Sequence, residues 1–524
     1  MLTLLRAARG LACLTIGVSA TVFAAPALQP VVMTESGPVR GAVEGGLEEF
    51  LAIPYAAPPI GNLRWKPPQP TMAWSVPRQT GHSPPACPQS ETLGYFAAPS
   101  TTEDCLYLNI VAPRVEVGDR PKSMPVMVWI HGGGLFSGSA SDYDLSALAG
   151  RGVIVVAIQY RLGVLGFYEN PALGADNRSP NYGMLDQIAA LKWVRRNISS
   201  FGGDASNVTI FGESGGADSV AMLLASPLAS GLFQKAILES SSASVRTVTI
   251  PEAGKRSAKL AEVSGCASID VACLRGLPVG TILQVRNPNL NPHMVGTPEL
   301  PEPPQVAFST GRFNHVPVIM GFNRDEFTWS QGVRELLRHA PAKPDDYSDM
   351  LSRTYGSGAQ AVSNDYPLKN FVNPGRAIAA IMSDSFVICP TRAILAQLSR
   401  HVPVYGYEFA DRNAPLYMPN VSFPYGAAHT AELQYLFPNF HGATGSQHPL
   451  NPDQQALARH MVGLWTQFAR NGDPAASDAI NWQRYAPQRD NILVLNTGAL
   501  RQISGTYAQE HHCSFWGRTP VLVQ

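Results

Sequence analysis

The chain has 524 residues, of which 45% are hydrophobic and 15% charged; this is ample for a large buried core and excludes a disordered chain, although length leaves the number of domains open. Its 39 basic residues balance 39 acidic ones. This balance excludes the basic footprint of a protein that binds nucleic acid or an anionic membrane surface.

The first 24 residues are typical of a secretory signal peptide. Arg6 and Arg9 precede an apolar stretch at 11–23, and small residues follow at 24–25 where a signal peptidase cuts. Cleavage leaves 37 basic and 39 acidic residues, a net charge of −2. A membrane anchor and a lipoprotein are the alternatives, but the apolar stretch is short for a span and its one cysteine lies too early for lipid attachment. We therefore expect a secreted or periplasmic protein without a membrane span.

Cysteine usage agrees with export. Outside the signal peptide the chain has an even number of cysteines, which suits three disulfides: Cys87, Cys105, Cys266, Cys273, Cys389 and Cys513. Fifteen pairings exist in principle. Proximity in sequence favours Cys87 with Cys105 and Cys266 with Cys273, which leaves the distant Cys389 and Cys513. A metal site is the alternative. Because the chain shows neither a C-x-x-C motif nor a paired-histidine spacing, we predict no metal.

Short runs rich in Val, Ile and aromatic residues predict the strands of a buried sheet. They lie at 126–130, 153–160, 208–211, 235–238, 316–321, 404–409 and 492–495. Between them, apolar residues at helical spacing predict helices at 183–197 and 454–470. The alternation predicts an α/β protein with a doubly wound, mostly parallel sheet. We expect one domain over 25–524, with Pro-rich loops at 54–70 and 298–304 and a more helical elaboration at 248–400.

The most informative motif is Gly-x-Ser-x-Gly at 212–216, between the predicted strand 208–211 and a helix-like stretch that reaches Leu224. A serine on a tight strand-to-helix turn is crowded on both sides. Glycines two residues before and after it let the chain turn and leave the hydroxyl exposed above the sheet. An ordinary glycine-rich turn is the alternative, since the chain has 46 glycines. The flanking elements favour a nucleophile elbow with Ser214 as nucleophile.

Ser214 needs partners, because a serine hydroxyl alone is a weak nucleophile. It requires a base, a carboxylate that orients the base, and donors for the oxyanion. The His-Gly-Gly-Gly run at 131–134 follows a predicted strand and predicts an oxyanion hole, completed by the Gly215 amide. In chains with such an elbow the acid and then the histidine follow the serine, and Asp325 and Glu326 are the acid candidates.

Composition cannot choose the base among 12 histidines. His429 lies in a loop of small residues at 426–431, after a late predicted strand. The rivals beyond Ser214 are His401, His448, His460, His511 and His512. Taken singly, each is more often a surface or core histidine than a base.

Further motifs precede the elbow and belong to a match that spans nearly the whole mature chain. They are FLAIPYA at 50–56, PPIG at 58–61, EDCLYLN at 103–109, YGMLDQ at 182–187, NI at 197–198 and FGGD at 201–204. With the elbow, they make the chain resemble the type B carboxylesterase and cholinesterase family of the α/β-hydrolase fold. The resemblance implies Ser214 as nucleophile, Glu326 as acid and His429 as base, and it supports the three disulfides. The oxyanion donors that it implies are the backbone amides of Gly133, Gly134 and Gly215.

Two departures from the family pattern matter. The family usually has glycine after the triad glutamate, whereas this chain has Phe327, so the turn there is expected to differ. The loop 87–105 is short and lacks the tryptophan with which cholinesterases bind choline, which argues against a cholinesterase. Tyr95 and Phe96 are candidates for lining the pocket, with core or lid packing as the alternative.

We therefore predict a secreted or periplasmic serine carboxylesterase that hydrolyses small-molecule esters through an acyl-enzyme on Ser214. The resemblance implies no metal and no organic cofactor. The alternatives are a lipase or an amidase with the same triad and a noncatalytic binding relative. Fold analogy does not identify the physiological ester or the oligomeric state.

Overall fold

A computed structural model describes residues 29–519 except 91–95, 115–122, 171–172, 174–178, 244–246, 268–269, 285–292, 476–479 and 499. The predicted signal peptide and Tyr95 lie outside the described residues.

Most strands belong to one large sheet. The strands, in chain order, are β1 Val31–Thr34, β2 Gly37–Arg40, β3 Ala42–Glu44, β4 Leu47–Pro54, β5 Arg78–Gln79, β6 Tyr107–Pro113, β7 Met124–Ile130, β8 Ile154–Ile158, β9 Gly203–Glu213, β10 Lys235–Glu239, β11 Val248–Thr249, β12 Met294–Val295, β13 Val318–Asn323, β14 Val404–Phe409, β15 Asn491–Leu495 and β16 Arg501–Ser504. The described residues form an 11-stranded sheet in the order β16-β15-β14-β13-β10-β9-β7-β8-β6-β4-β3. Small sheets join β1, β2 and β5, and β11 with β12.

The large sheet is parallel in its middle and antiparallel at both ends. Every neighbouring pair from β8 through β15 is parallel, while β16, β6, β4 and β3 pair antiparallel with their neighbours. The α/β class and the seven predicted strands are confirmed, and β14 has the predicted bounds. The antiparallel strands were not predicted, because their apolar runs are interrupted by polar residues, as in Leu47–Pro54.

Helices lie between the strands. They are α1 Ser146–Ala149, α2 Gly163–Gly166, α3 Tyr182–Asn197, α4 Gly215–Ala225, α5 Ile250–Ser264, α6 Val271–Gly276, α7 Val279–Ile282, α8 Pro304–Thr310, α9 Thr328–Arg338, α10 Pro344–Tyr355, α11 Ala359–Asp365, α12 Pro374–Met382, α13 Cys389–Leu398, α14 Leu433–Leu436, α15 Pro452–Asn471, α16 Thr506–Glu510 and α17 Cys513–Trp516. The predicted helices correspond to α3 and α15. The described parts of 248–400 are mostly helical, as expected, and also contain β11, β12 and β13.

The sheet separates two apolar cores. Along β7, Val126, Val128 and Ile130 face one core, and Met127 and Trp129 face the other. Alternation of side chains across a strand produces this division, and burial on both faces explains why the central strands are nearly continuous apolar runs.

Helix α15 closes one face of the sheet and shows how local sequence sets its ends. At its start, the Asn451 side chain accepts from the Gln454 backbone N–H, and the Gln454 side chain accepts from the Asn451 N–H. Pro452 occupies the first turn, where its missing N–H costs nothing, and Gly472 ends the helix with φ of 78°. Trp465 on its inner face is fully buried.

The sheet topology brings the ends of distant segments together. Strands β14, β13, β10 and β9 are consecutive neighbours and run parallel, so their carboxyl ends lie at one edge. Ser214 follows β9 directly, Glu326 follows β13 and His429 lies in the loop after β14. In open α/β sheets ligands bind at this edge.

Among the described residues, one helical run, Pro374–Leu398, is long and apolar enough to cross a bilayer. It comprises α12, a π-helical turn at Ser383–Ile388 and α13. In its most apolar window 56% of the run is buried inside the fold, and core helices of water-soluble proteins pass the same test.

Candidate active site

Ser214 sits on a strained turn between β9 and α4. Its φ of 55° and ψ of −126° are unusual for a residue with a side chain, and such strain costs about 1–3 kcal/mol. Gly216 makes the turn feasible, because a Cβ there would lie 2.0 Å from the Ile130 carbonyl oxygen. The Ser214 N–H donates to the Glu239 carbonyl at 2.9 Å and anchors the turn to β10. The predicted strand-turn-helix geometry of the elbow is present.

His429 and Glu326 form a short hydrogen-bonded pair. The distance from His429 Nδ1 to Glu326 Oε2 is 2.6 Å. The other oxygen, Glu326 Oε1, accepts from the backbone N–H of Asn323 at 2.9 Å. Glu326 is almost fully buried, whereas 22% of the His429 side chain is exposed. The carboxylate is therefore fixed on both sides, and the imidazole that it holds is partly exposed.

Hydrogen bonds hold the acid loop, 323–328, against the base loop, 425–429. Asp325 donates its N–H to the Ala427 carbonyl at 2.9 Å and accepts from the Ala427 N–H at 3.1 Å. His429 N–H donates to the Glu326 carbonyl at 3.2 Å. From outside, Arg376 and Arg412 both donate to the Asp325 carboxylate. Asp325, the rival acid, thus ties the two loops together, and the carboxylates that pair with His429 among the described residues are those of Glu213 and Glu326.

Ser214 and His429 line one cavity of about 190 Å³. Its wall also includes Gly133 and Gly134 and the side chains of Phe96, Phe136, Trp329 and Thr430. The indole of Trp329 lies edge-on to the His429 ring, with centroids 6.2 Å apart. The cavity therefore has aromatic walls, and its polar lining comes from Ser214, His429, Glu213, Thr430 and the glycine backbone.

The glycine loop after β7 lies against the N-terminus of α4. Gly133 and Gly134 have φ of 100° and 61°, where glycine is favoured. A Cβ at Gly215 would lie 2.9 Å from the Gly134 nitrogen, so the two backbones approach as closely as glycine allows. In the part of the chain described, the N–H groups of Gly133, Gly134 and Gly215 donate to no protein acceptor. They are free to bind an oxyanion beside Ser214.

A third carboxylate, Glu213, contacts the base and was missed by sequence reasoning. Its Oε1 lies 3.2 Å from His429 Nε2, and the side chain is fully buried. Burial raises the pKa of Glu213 well above its usual value, while His429 acts in the opposite direction. Burial lowers the pKa of His429, but the negative charges of Glu213 and Glu326 outweigh burial and raise it. Glu213 is a residue of the elbow motif, but the motif does not indicate where this side chain points.

This arrangement makes the pH profile depend on Glu213. Glu213→Gln removes a negative charge that favours the imidazolium, so the pKa of His429 falls and the neutral base persists to lower pH. The acidic limb of the kcat/KM profile for a neutral ester is expected to move down by about one pH unit. The Glu432 carboxylate also raises the pKa of His429, but less than Glu213 does, so Glu432→Gln is expected to shift the limb less. A limb that stays in place or moves up in Glu213→Gln contradicts the electrostatic account.

The rival histidines lie elsewhere. His511 is buried in another carboxylate cluster, with Nδ1 2.6 Å from Asp384 and Nε2 3.3 Å from Glu408. None of the rivals lines the cavity that contains Ser214.

Phe327 has φ of −82°, an ordinary value, so the acid loop needs no glycine at this position. Phe96 lines the cavity, which agrees with pocket lining, one of the two roles that the sequence left open for it.

Three disulfides join the six cysteines in the predicted pairs. Cys87 bonds Cys105, Cys266 bonds Cys273 and Cys389 bonds Cys513, with Cα–Cα distances of 5.1, 5.9 and 5.2 Å. The third bridge links α13 to α17, which fastens the C-terminal segment to the helical elaboration.

The bridges should contribute unequally to stability. A cross-link stabilises mainly by restricting the unfolded chain, more so for a longer loop. The separations are 124 residues for Cys389–Cys513 and 7 for Cys266–Cys273. Replacing Cys389 and Cys513 by serine is expected to lower the free energy of unfolding by about 5 kcal/mol. Replacing Cys266 and Cys273 by serine is expected to lower it by about 2 kcal/mol. Urea unfolding of the two double variants measures this, and equal losses would contradict it.

The fold and the cavity define an α/β-hydrolase: a mixed sheet with a strained serine elbow and a histidine–carboxylate pair at the carboxyl edge of its strands. The chain matches the sequence model of the Carboxylesterase family over residues 28–516. It belongs to that family and is a carboxylic ester hydrolase.

Relatives and solved structures agree over nearly the whole chain. Cocaine esterase of Homo sapiens is 34% identical over 94% of this chain and 92% of its own length. Para-nitrobenzyl esterase of Bacillus subtilis (strain 168) is 35% identical over 89% of this chain and 95% of its own. The solved structure of a thermophilic PNB esterase superimposes with a TM-score of 0.79 at 31% identity, covering 93% of this chain and 99% of that one.

Proposed function

We propose that the protein is an exported carboxylesterase that forms an acyl-enzyme on Ser214. The observation that carries the proposal is the 2.6 Å pair of His429 and Glu326 in the cavity that also contains Ser214. Residues 1–24 are the signal peptide in this proposal, and 25–524 form one carboxylesterase domain. The three disulfides support a destination outside the reducing cytosol.

Acylation begins when Ser214 attacks the ester carbonyl. His429 accepts the hydroxyl proton at Nε2, while Glu326 holds the proton on Nδ1 and stabilises the imidazolium that forms. The carbonyl oxygen becomes an oxyanion and takes hydrogen bonds from Gly133, Gly134 and Gly215. Each donor of this kind contributes about 3 kcal/mol to the transition state. His429 then returns the proton to the alcohol oxygen as the C–O bond breaks.

Deacylation repeats these steps with water as nucleophile. His429 removes a proton from water, the same glycine amides stabilise the second tetrahedral intermediate, and the Ser214 oxygen leaves as the proton returns to it. The products are a carboxylic acid and an alcohol. No step requires a group beyond the residues named.

A lipase or an amidase with the same triad is the alternative. The cavity of about 190 Å³ is walled by Phe96, Phe136 and Trp329, which supports a small apolar acyl group. Esters also have better leaving groups than amides, so the same triad acts on them more readily.

The test uses purified mature protein with p-nitrophenyl acetate, butanoate and palmitate and with butanoyl p-nitroanilide. We expect the highest kcat/KM on the two short esters. Turnover confined to palmitate emulsions supports a lipase, and faster cleavage of the anilide supports an amidase. Either result contradicts the proposal.

A further inference from the structure

A second cavity lies beside α15, apart from the catalytic one. Its volume is about 400 Å³, within the range of small-molecule sites, about 300–1,000 Å³. The described residues around it belong to α1, to the turn after α1, to α14, to α15 and to the loop 438–450. None of these residues lines the cavity that contains Ser214. The mechanism above therefore gives this second cavity no role.

One wall of the second cavity is a face of α15. The residues of α15 that line it are at 455, 458, 459 and 462, a spacing that places side chains on one side of a helix. Leu457, Met461 and Trp465 pack into the core beneath. On the cavity side, Val462 is buried and Arg459 is exposed, so this wall changes from apolar inside to basic at the mouth.

The loop 448–450 forms another part of the wall and is held in place by two glutamines. The Gln434 side-chain amide donates to the His448 carbonyl. The Gln455 amide donates to the Leu450 carbonyl at 2.8 Å. Both amide nitrogens are thus occupied by backbone of the loop. The cavity is formed without a ligand, so binding requires little ordering of its walls.

The charged side chains around the second cavity are those of Arg151 and Arg459, and both residues are exposed. The described lining contains no acidic residue, and among the described residues neither guanidinium has an ion-pair partner. Tyr435 and Val462 are buried and supply apolar surface inside. Exposed arginines often only face water, but these two flank one preformed apolar cavity. Two unpaired positive charges above apolar surface are complementary to an anion that has an apolar body.

We propose that the second cavity binds an amphipathic anion, an apolar chain that ends in a carboxylate. The guanidinium groups of Arg151 and Arg459 bind the carboxylate through charge-assisted hydrogen bonds. The chain lies against Tyr435, Leu450 and Val462, where its burial is favourable. The acid products of ester hydrolysis have this chemistry, but the site does not depend on the proposed esterase activity.

The test is titration calorimetry of the mature protein with octanoate, octan-1-ol and acetate. Blocking Ser214 with a fluorophosphonate beforehand keeps octanoate out of the catalytic cavity. The blocked wild-type protein is expected to bind one octanoate per chain. Octan-1-ol keeps the chain and lacks the charge, whereas acetate keeps the charge and lacks the chain. Each is expected to bind at least about tenfold more weakly than octanoate.

Two double variants separate the site from general surface charge. Arg151→Gln with Arg459→Gln is expected to weaken octanoate binding at least about tenfold. Arg353→Gln with Arg400→Gln removes two exposed positive charges outside the cavity and is the matched control. It is expected to bind octanoate as the wild-type protein does. Both double variants are expected to keep the wild-type unfolding temperature, because all four side chains are exposed.

The outcomes distinguish this site from the catalytic cavity. Octanoate binding that disappears when Ser214 is blocked belongs to the catalytic cavity and overturns the second site. Equal affinity for octan-1-ol, or equal losses in the two double variants, overturns it as well. A wild-type protein that takes no fluorophosphonate contradicts the proposed esterase function alone, and the arginine variants then decide this proposal on unblocked protein.

Discussion

Ser214→Ala is expected to lower kcat for short p-nitrophenyl esters by about 10⁵- to 10⁶-fold. Without the hydroxyl no acyl-enzyme forms, and His429 has no group to deprotonate except water. The residual rate over the uncatalysed reaction comes from the glycine amides and from substrate binding. Initial rates at saturating substrate, corrected for spontaneous hydrolysis, measure the loss.

A control separates lost chemistry from lost fold. Ser214 has a positive φ that glycine adopts without strain, so Ser214→Gly is expected to be as inactive as Ser214→Ala and at least as stable as the wild-type protein. Thermal unfolding of both variants provides the comparison. Activity within tenfold of wild type in either variant would remove Ser214 from the mechanism.

Glu326→Gln is expected to lower kcat by about 10⁴-fold, because it imposes the wrong imidazole tautomer. The Asn323 N–H donates to Glu326 Oε1, so the oxygen of a glutamine must occupy that position. The amide NH₂ then faces His429 Nδ1, which must accept and cannot carry a proton. The proton moves to Nε2, and the imidazole can no longer act as a base toward Ser214.

The milder substitution provides the contrast. Glu326→Asp shortens the side chain but keeps a carboxylate that accepts from Nδ1–H, so it is expected to retain more activity than Glu326→Gln despite its larger change in shape. Kinetics of both variants with the same ester test this order. If glutamine proves the better substitute, the tautomer argument is wrong.

Local patterns in the sequence account for the central strands and the elbow. A strand such as Val404–Phe409 is buried on both faces, so its apolar run is continuous and its bounds are readable. The elbow is readable because one of its glycines is required by a contact within the motif: a Cβ at Gly212 would lie 2.6 Å from the Gly216 carbonyl carbon. Antiparallel strands at the ends of the sheet, such as Leu47–Pro54, carry polar residues and give a weaker signal.

What sequence reasoning could not supply depends on contacts between distant segments. Nothing local to Glu213 shows that its carboxylate lies 3.2 Å from His429, or that burial raises its pKa. The role of Asp325 likewise cannot be read from the residues next to it in sequence. As a sequence feature it equals Glu326 as a candidate acid, and only the packing of Arg376, Arg412 and Ala427 around it separates the two. The choice between them came from family resemblance.

The most direct test of the account is to label the folded mature protein with a fluorophosphonate probe and map the modified residue by mass spectrometry. Such probes modify serines activated as nucleophiles. We expect one label per chain, on Ser214, formed as esterase activity disappears, and no label in Ser214→Ala. A folded and active protein that takes no label, or takes it on another residue, would contradict the assignment of Ser214 as the nucleophile.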